Sequence, residues 1–213
     1  MERKVVYTAL FGDYEDLKEP TVVTSGWEYI CYTDQPLKSD VWDIVRVECP
    51  TSTSHQRYAR LYKILKFAEF DKSFWVDASF IIDTNLDEWW NRYYRGGITA
   101  PKHPLRDCVY EEILACIIGF RGDRLELEAQ KEEYKKLNIP AHNGIITSGI
   151  LMRMNGYRTI SLCEDWYSEL CKHSVRDQVA LAKVSLNSSI LYTYDWDYRK
   201  EKDFIYKHHY ARR

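Results

Sequence analysis

The stretch SFWVDASFII occupies residues 73–82. Its first half, Phe74, Trp75 and Val76, is an aromatic and β-branched run of the kind that forms a buried strand. Asp77 follows, then the small Ala78 and Ser79, before apolar residues resume at Phe80. A carboxylate at the end of an aromatic strand is costly to bury unless something pairs with it. The partner of Asp77 is therefore the first question the sequence raises.

On its N-terminal side lie three more strand patterns. KVVYTALFG is an apolar run ended by Gly12, EYICYTD ends at Thr33 and Asp34, and WDIVRVE alternates. Between them and SFWVD, the segment HQRYARLYKILKFAEF has a helical rhythm, with Tyr58, Leu61, Leu65 and Ala68 at three- and four-residue spacings. On the C-terminal side, NLDEWWNRYYRGG predicts a helix stopped by two glycines, and ITAPKH a strand. DCVYEEILACIIG, RLELEAQKEEYKKL, SLCEDWYSELCKH and VRDQVALAKVSL predict helices, and NGIITSGILMRMN a strand interrupted at Gly149. Strands interleaved with helices imply one α/β domain, a Rossmann-like mixed sheet flanked by helices, over residues 1–198. Residues 199–213 read as an irregular basic tail with six Lys or Arg against two acids.

A chain of 213 residues suits one domain with a sizeable core. A net charge of −2 gives no molecule-wide field for nucleic acid. The six cysteines include no Cys-x-x-Cys pair, so they read as free thiols in a reducing compartment. No signal peptide and no run of transmembrane length is apparent, so the expectation is a cytoplasmic protein without an integral membrane segment.

In an α/β sheet the ligand crevice lies beyond the carboxyl ends of the strands. Three such ends carry polar or small residues: Thr8 to Tyr14 with Ala9 and Phe11, Thr33-Asp34, and Asp77-Ala78-Ser79. Asp77 there has two readings. It holds a hard divalent cation that bridges phosphate oxygens, or it pairs with Arg57 or Arg60 on the preceding helix. Thr33 and Asp34 bond a nucleobase edge with Tyr7, Phe11 or Tyr14 stacked on it, or make a turn. Arg57, Arg60 and Lys63 neutralise a diphosphate, or form a solvated face.

The segments YTALFGDYEDLKEP, YICYTD, RYARLYKIL and FWVDASFII, followed by HPLRDCVYEEI, the Ile-Leu-Met-Arg strand at 150–153 and SVRDQVAL, occur in an order that resembles the TOD/MUCI glycosyltransferase-like family. The resemblance spans roughly residues 5 to 185. It implies a GT-A-type fold, distantly like family 8 glycosyltransferases, that binds a nucleotide sugar. In family 8 the corresponding motif is Asp-x-Asp, holding manganese on the diphosphate together with a C-terminal His. Here Asp77 matches the first acid, Ser79 stands in place of the second, and His208 or His209 is the candidate C-terminal ligand. Thr147 stands where family members often carry a Glu. By the same resemblance Asp177, with Arg176 and Gln178, is the catalytic candidate; the alternative is a helix-start motif of Ser174 and Asp177. His103, Arg106, Tyr110 and Glu112 are the acceptor-binding candidates.

The implied reaction moves a sugar from a nucleotide-sugar donor, expected to be a UDP-sugar, to an acceptor hydroxyl. Manganese or magnesium and the α-helical cations stabilise the departing diphosphate. Retention, by analogy with family 8, needs no strong base; inversion needs one, with Asp177 the candidate. The acceptor classes left open are a glycan, a lipid-linked sugar and a modified nucleic-acid base. Ser79 and Thr147 also motivate a rival, a non-catalytic nucleotide-sugar or glycan-binding module. A hydrolase ranks below it, because no Gly-x-Ser-x-Gly elbow or clustered zinc motif is present.

Overall fold

Six of the seven residues of β1 (Lys4–Leu10) are buried, as expected for a central strand covered on both faces. It pairs in parallel with β2 (Glu28–Thr33) on one side. β2 in turn pairs in parallel with β3 (Asp43–Arg46). The chain then crosses through α1 (His55–Leu65) and a 3-10 turn, Lys66–Glu69, and returns to the other side of β1 as β4 (Lys72–Val76). The remaining elements are β5 (Phe80–Ile82), α2 (Leu86–Tyr93), β6 (Ile98–Pro101), α3 (Val109–Ile118), α4 (Arg124–Lys136), β7 (Ile150–Met154), α5 (Tyr157–Lys172), α6 (Asp177–Val184), β8 (Leu191–Tyr194) and β9 (Phe204–Tyr206). These positions come from a computed structural model that describes residues 2–13 and 15–207.

The main sheet has seven strands in the order β3-β2-β1-β4-β7-β6-β8. β7 runs antiparallel to both β4 and β6, and β8 is parallel to β6. The carboxyl ends of β1, β2, β4, β6 and β8 therefore open on one edge. The strand order reverses between β1 and β4, which places a topological switch point beside Asp77.

Alternate residues of β1 divide the core. Val5, Tyr7, Ala9 and Phe11 pack with Trp75 and Leu151 against α1 and α5, through Ile64, Leu162, Trp166 and Leu170. Val6 and Leu10 pack with Phe74, Val76 and Met152 against Trp27, Trp89 and Trp90. This second layer buries Phe204 completely.

The segment from Arg199 is thus not irregular throughout: Phe204–Tyr206 pairs antiparallel with β5 in a two-stranded sheet. Strand patterning is also corrected around Gly149, where only an isolated bridge between Lys102 and Ile146 precedes β7. All six cysteines are free. Among the described residues, no helix is long and apolar enough to cross a membrane.

Candidate functional site

Asp77 is paired with a lysine. β4 ends at Val76, and the Asp77 N–H donates to the Gly149 carbonyl at 2.8 Å while its own carbonyl accepts from the Phe80 N–H at 2.9 Å. Gly149 permits this close turn, because a Cβ there would lie 2.7 Å from the Phe80 ring. The Asp77 Oδ1 accepts from the Trp75 indole N–H at 2.6 Å and from Lys63 Nζ at 3.3 Å. Its side chain keeps 30% exposure, so an anchored carboxylate stays partly open at the end of β4.

Lys63 is fully buried and links three groups. Its Nζ lies 2.6 Å from Asp177 Oδ2 and donates to Ser148 Oγ at 3.0 Å, while Ser148 Oγ donates to Asp177 Oδ2 at 2.9 Å. Arg60 Nε stands 3.4 Å from Asp177 Oδ1. Burial alone would raise the Asp177 pKa, but Lys63, Arg60 and Arg176 together hold it well below the usual carboxylate range. Asp177 opens α6, where the helix dipole adds to this stabilisation. Ser174 Oγ donates to Gln130 instead of forming a capping box with Asp177, and Gln178 donates to the Ile146 carbonyl at 2.7 Å.

Buried Arg153 of β7 sets the position of Lys63. Its guanidinium donates to the Lys63 carbonyl at 2.8 Å and to the Tyr7 hydroxyl at 2.5 Å. A cation thus sits on the last carbonyls of α1. Arg57 points elsewhere, donating to the Leu170 and His173 carbonyls at the end of α5 at 2.6 and 3.0 Å.

On the β2 side, Asp34 accepts from the Gly12 N–H at 2.9 Å and lies 3.6 Å from His55 Nε2. The Gln35 N–H donates to Thr33 Oγ1 at 3.0 Å, the turn that Thr-Asp-Gln-Pro favours. Phe11 is buried against Tyr58 and Tyr62. Thr8 and Ala9 are buried beneath the edge, Ser79 is buried and Ala78 half-buried. Tyr14, His208 and His209 lie outside the described residues.

A second cluster lies past β6. Buried Glu112 of α3 accepts from Arg106 Nε at 2.6 Å and faces His103 Nε2 at 3.8 Å and Arg176 at 3.9 Å. Tyr110 is not part of it; its hydroxyl donates to the Ile139 carbonyl at 2.6 Å. Arg176 and Asp177, adjacent at the start of α6, project into different clusters and so join them.

Sequence reasoning missed Glu15. Burial, with help from Asp77 and Asp16 and against Lys18, pushes its pKa up to about 8. The signal was the acid-rich run DYED directly after β1, next to the expected crevice. Among the described residues, no group of three or more His, Cys, Asp or Glu is placed to hold a metal ion. Asp77 offers one carboxylate, which suffices for a hard cation that brings phosphate oxygens and waters with it.

No protein-family model matches the chain, and no curated protein matches it in sequence. Its structure is similar to the apo structure of the bifunctional glycosyltransferase WbbM, at a TM-score of 0.52 and 13% identity over 91% of this chain. The match covers 38% of WbbM, so the chain spans well under half of that protein. At this identity the likeness establishes the fold: a glycosyltransferase-like α/β domain with a seven-stranded mixed sheet.

Proposed function

We propose that this domain is a glycosyltransferase of the TOD/MUCI-like kind, moving a sugar from a UDP-sugar to an acceptor hydroxyl. The observation that carries the reading is Asp77. It is a partly exposed carboxylate at the switch point, held by Trp75, Lys63 and the Gly149 turn. The WbbM likeness supports the same reading through the fold. In this reading the nucleotide lies across the ends of β1 and β2, and the diphosphate reaches Asp77. A divalent cation carried on the diphosphate would be held by Asp77 and would neutralise charge developing on the leaving group.

Lys63 acts by fixing the Asp77 carboxylate and by supplying positive potential beneath the diphosphate. Asp177 is a poor general base, because it is buried and held ionised by three cations. Glu15 has the better-matched pKa for accepting the acceptor proton in an inverting reaction. In a retaining reaction the departing phosphate takes that proton.

Thermal shift against uridine, guanosine, cytidine and thymidine diphosphates, with and without manganese, tests the donor. A ligand that binds only the folded state raises the melting temperature by mass action. UDP is expected to raise it most, and more with manganese. No shift with any of the four would remove the nucleotide-sugar reading.

A further inference from the structure

We propose that the Glu112 cluster is an oxyanion-binding subsite, in which Arg106 and Arg176 take a phosphate or carboxylate carried by the acceptor. The assignment to the acceptor rests on the donor reading above; the oxyanion chemistry does not.

Position comes first. β6 runs in the same direction as β4, so His103 and Arg106 emerge on the same edge as Asp77. They lie across Asp77 from Gly12 and Asp34 in the strand order, on the side opposite the proposed nucleotide position. Arg176 reaches the same place from the start of α6.

Charge comes second. At this cluster two guanidinium groups, Arg106 and Arg176, face the single carboxylate of Glu112, an excess of one cation. Arg121 lies outside this pair but near enough for its charge to bear on His103, whose pKa is lowered chiefly by burial, with Arg106, Arg199 and Arg121 acting against Glu112. Two neighbouring cations are already neutralised: Arg199 by Asp197 at 2.5 Å and Lys102 by Asp195 at 3.0 Å.

Preorganisation comes third. Glu112 is 2% exposed and holds Arg106 at 2.6 Å, with Arg176 in ion-pair range at 3.9 Å and bonded to Gln178 Oε1 at 3.4 Å, so an incoming oxyanion meets donors that are already held in place. The Arg176 Nε is buried and the guanidinium also interacts with Cys116, so its exposed part is what an oxyanion meets. The Arg106 and Arg176 side chains keep 21% and 16% exposure, enough for access from solvent. Guanidinium forks suit phosphate and carboxylate alike.

The test is calorimetric titration of the full chain with inorganic phosphate, with acetate, and with UDP in the presence and absence of saturating phosphate. Phosphate is expected to bind one-to-one and together with UDP. Arg106→Gln is expected to weaken phosphate binding by about tenfold or more, the scale of one lost charge-assisted fork. Arg121→Gln, an exposed change that leaves Glu112 paired, is expected to weaken it several-fold without altering the melting temperature. Acetate separates the two oxyanions: binding of either that Arg106→Gln removes upholds the subsite. Phosphate affinity unchanged in both variants, or phosphate displaced by UDP, overturns it. UDP binding with neither phosphate nor acetate bound retires the subsite alone. Arg106-dependent phosphate binding with no nucleotide bound retires the donor reading alone.

Discussion

Replacing Lys63 by Met removes the cation between Asp177 and Asp77 while keeping most of the side-chain volume. Asp177 is then buried with Arg60, at 3.4 Å, as its nearest remaining cation of that pair. Removing one partner of a buried ion pair costs about 3–5 kcal/mol, a large share of the roughly 5–15 kcal/mol that holds a domain folded. Arg60 places the expectation near the lower end, about 3 kcal/mol. The double variant Lys63→Met/Asp177→Asn leaves no stranded charge, and its cost is expected to fall short of the summed single costs by about 1–3 kcal/mol. Urea unfolding at pH 7 measures all four proteins. The pH dependence gives a second check. Asp177 has a folded pKa below its unfolded value, so its stabilisation is present above about pH 4 and is lost as pH falls through the folded pKa. That acid-labile component should shrink in Lys63→Met. A single-variant cost below about 1 kcal/mol, or strict additivity in the cycle, would refute the buried network as the support of Asp77.

Glu15 has a folded pKa raised to about 8, so acidification from pH 8 towards its unfolded value should stabilise the protein, and Glu15→Gln should flatten that slope in melting experiments. If Glu15 is the base of an inverting reaction, the same variant also loses the inflection near pH 8 in the rate profile. Asp34→Ala frees the Gly12 N–H and is expected to weaken UDP binding by about 1–3 kcal/mol, read by calorimetry. Unchanged affinity would retire the β1–β2 nucleotide position. Native thiol labelling should modify exposed Cys171 first and leave buried Cys31, Cys108, Cys116 and Cys163 until unfolding; fast labelling of Cys163 would contradict the α5 packing.

The parallel half of the sheet was legible because its strands are continuous apolar runs ended by Gly12, Asp34 and Asp77, and those ends do converge on one edge. What escaped was non-local. β5 and β9 have three residues each, and their partners lie more than a hundred positions apart, so neither makes a local pattern. The charges around Phe204 read as solvated, yet its ring packs on Phe74, Trp89 and Trp196. The basic stripe of α1 divides between two places for a geometric reason. Each three-residue step on a helix of 3.6 residues per turn falls about 60° short of a full turn. Arg57 and Lys63 are therefore about 120° apart, one on the end of α5 and the other under Asp77. Pairing between Lys63 and Asp177 crosses more than a hundred residues, and no spacing in the sequence reports it. Arg106 and Glu112 were legible together as a polar helix start, whereas the arrival of Arg176 beside them depended on the placement of α6.

The central claim is that Asp77 serves donor chemistry and not only folding. Its most direct measurement is release of UDP from a panel of UDP-sugars by the wild-type chain and by Asp77→Asn, with circular dichroism and melting recorded on both. Asn retains the shape and keeps an oxygen for the Trp75 and Lys63 donors, so the fold should survive. The account predicts donor turnover by the wild-type chain, and its loss by about a hundredfold or more in the folded variant, the scale of one missing electrostatic contact in the transition state. A folded Asp77→Asn that releases UDP as fast as the wild type would contradict it.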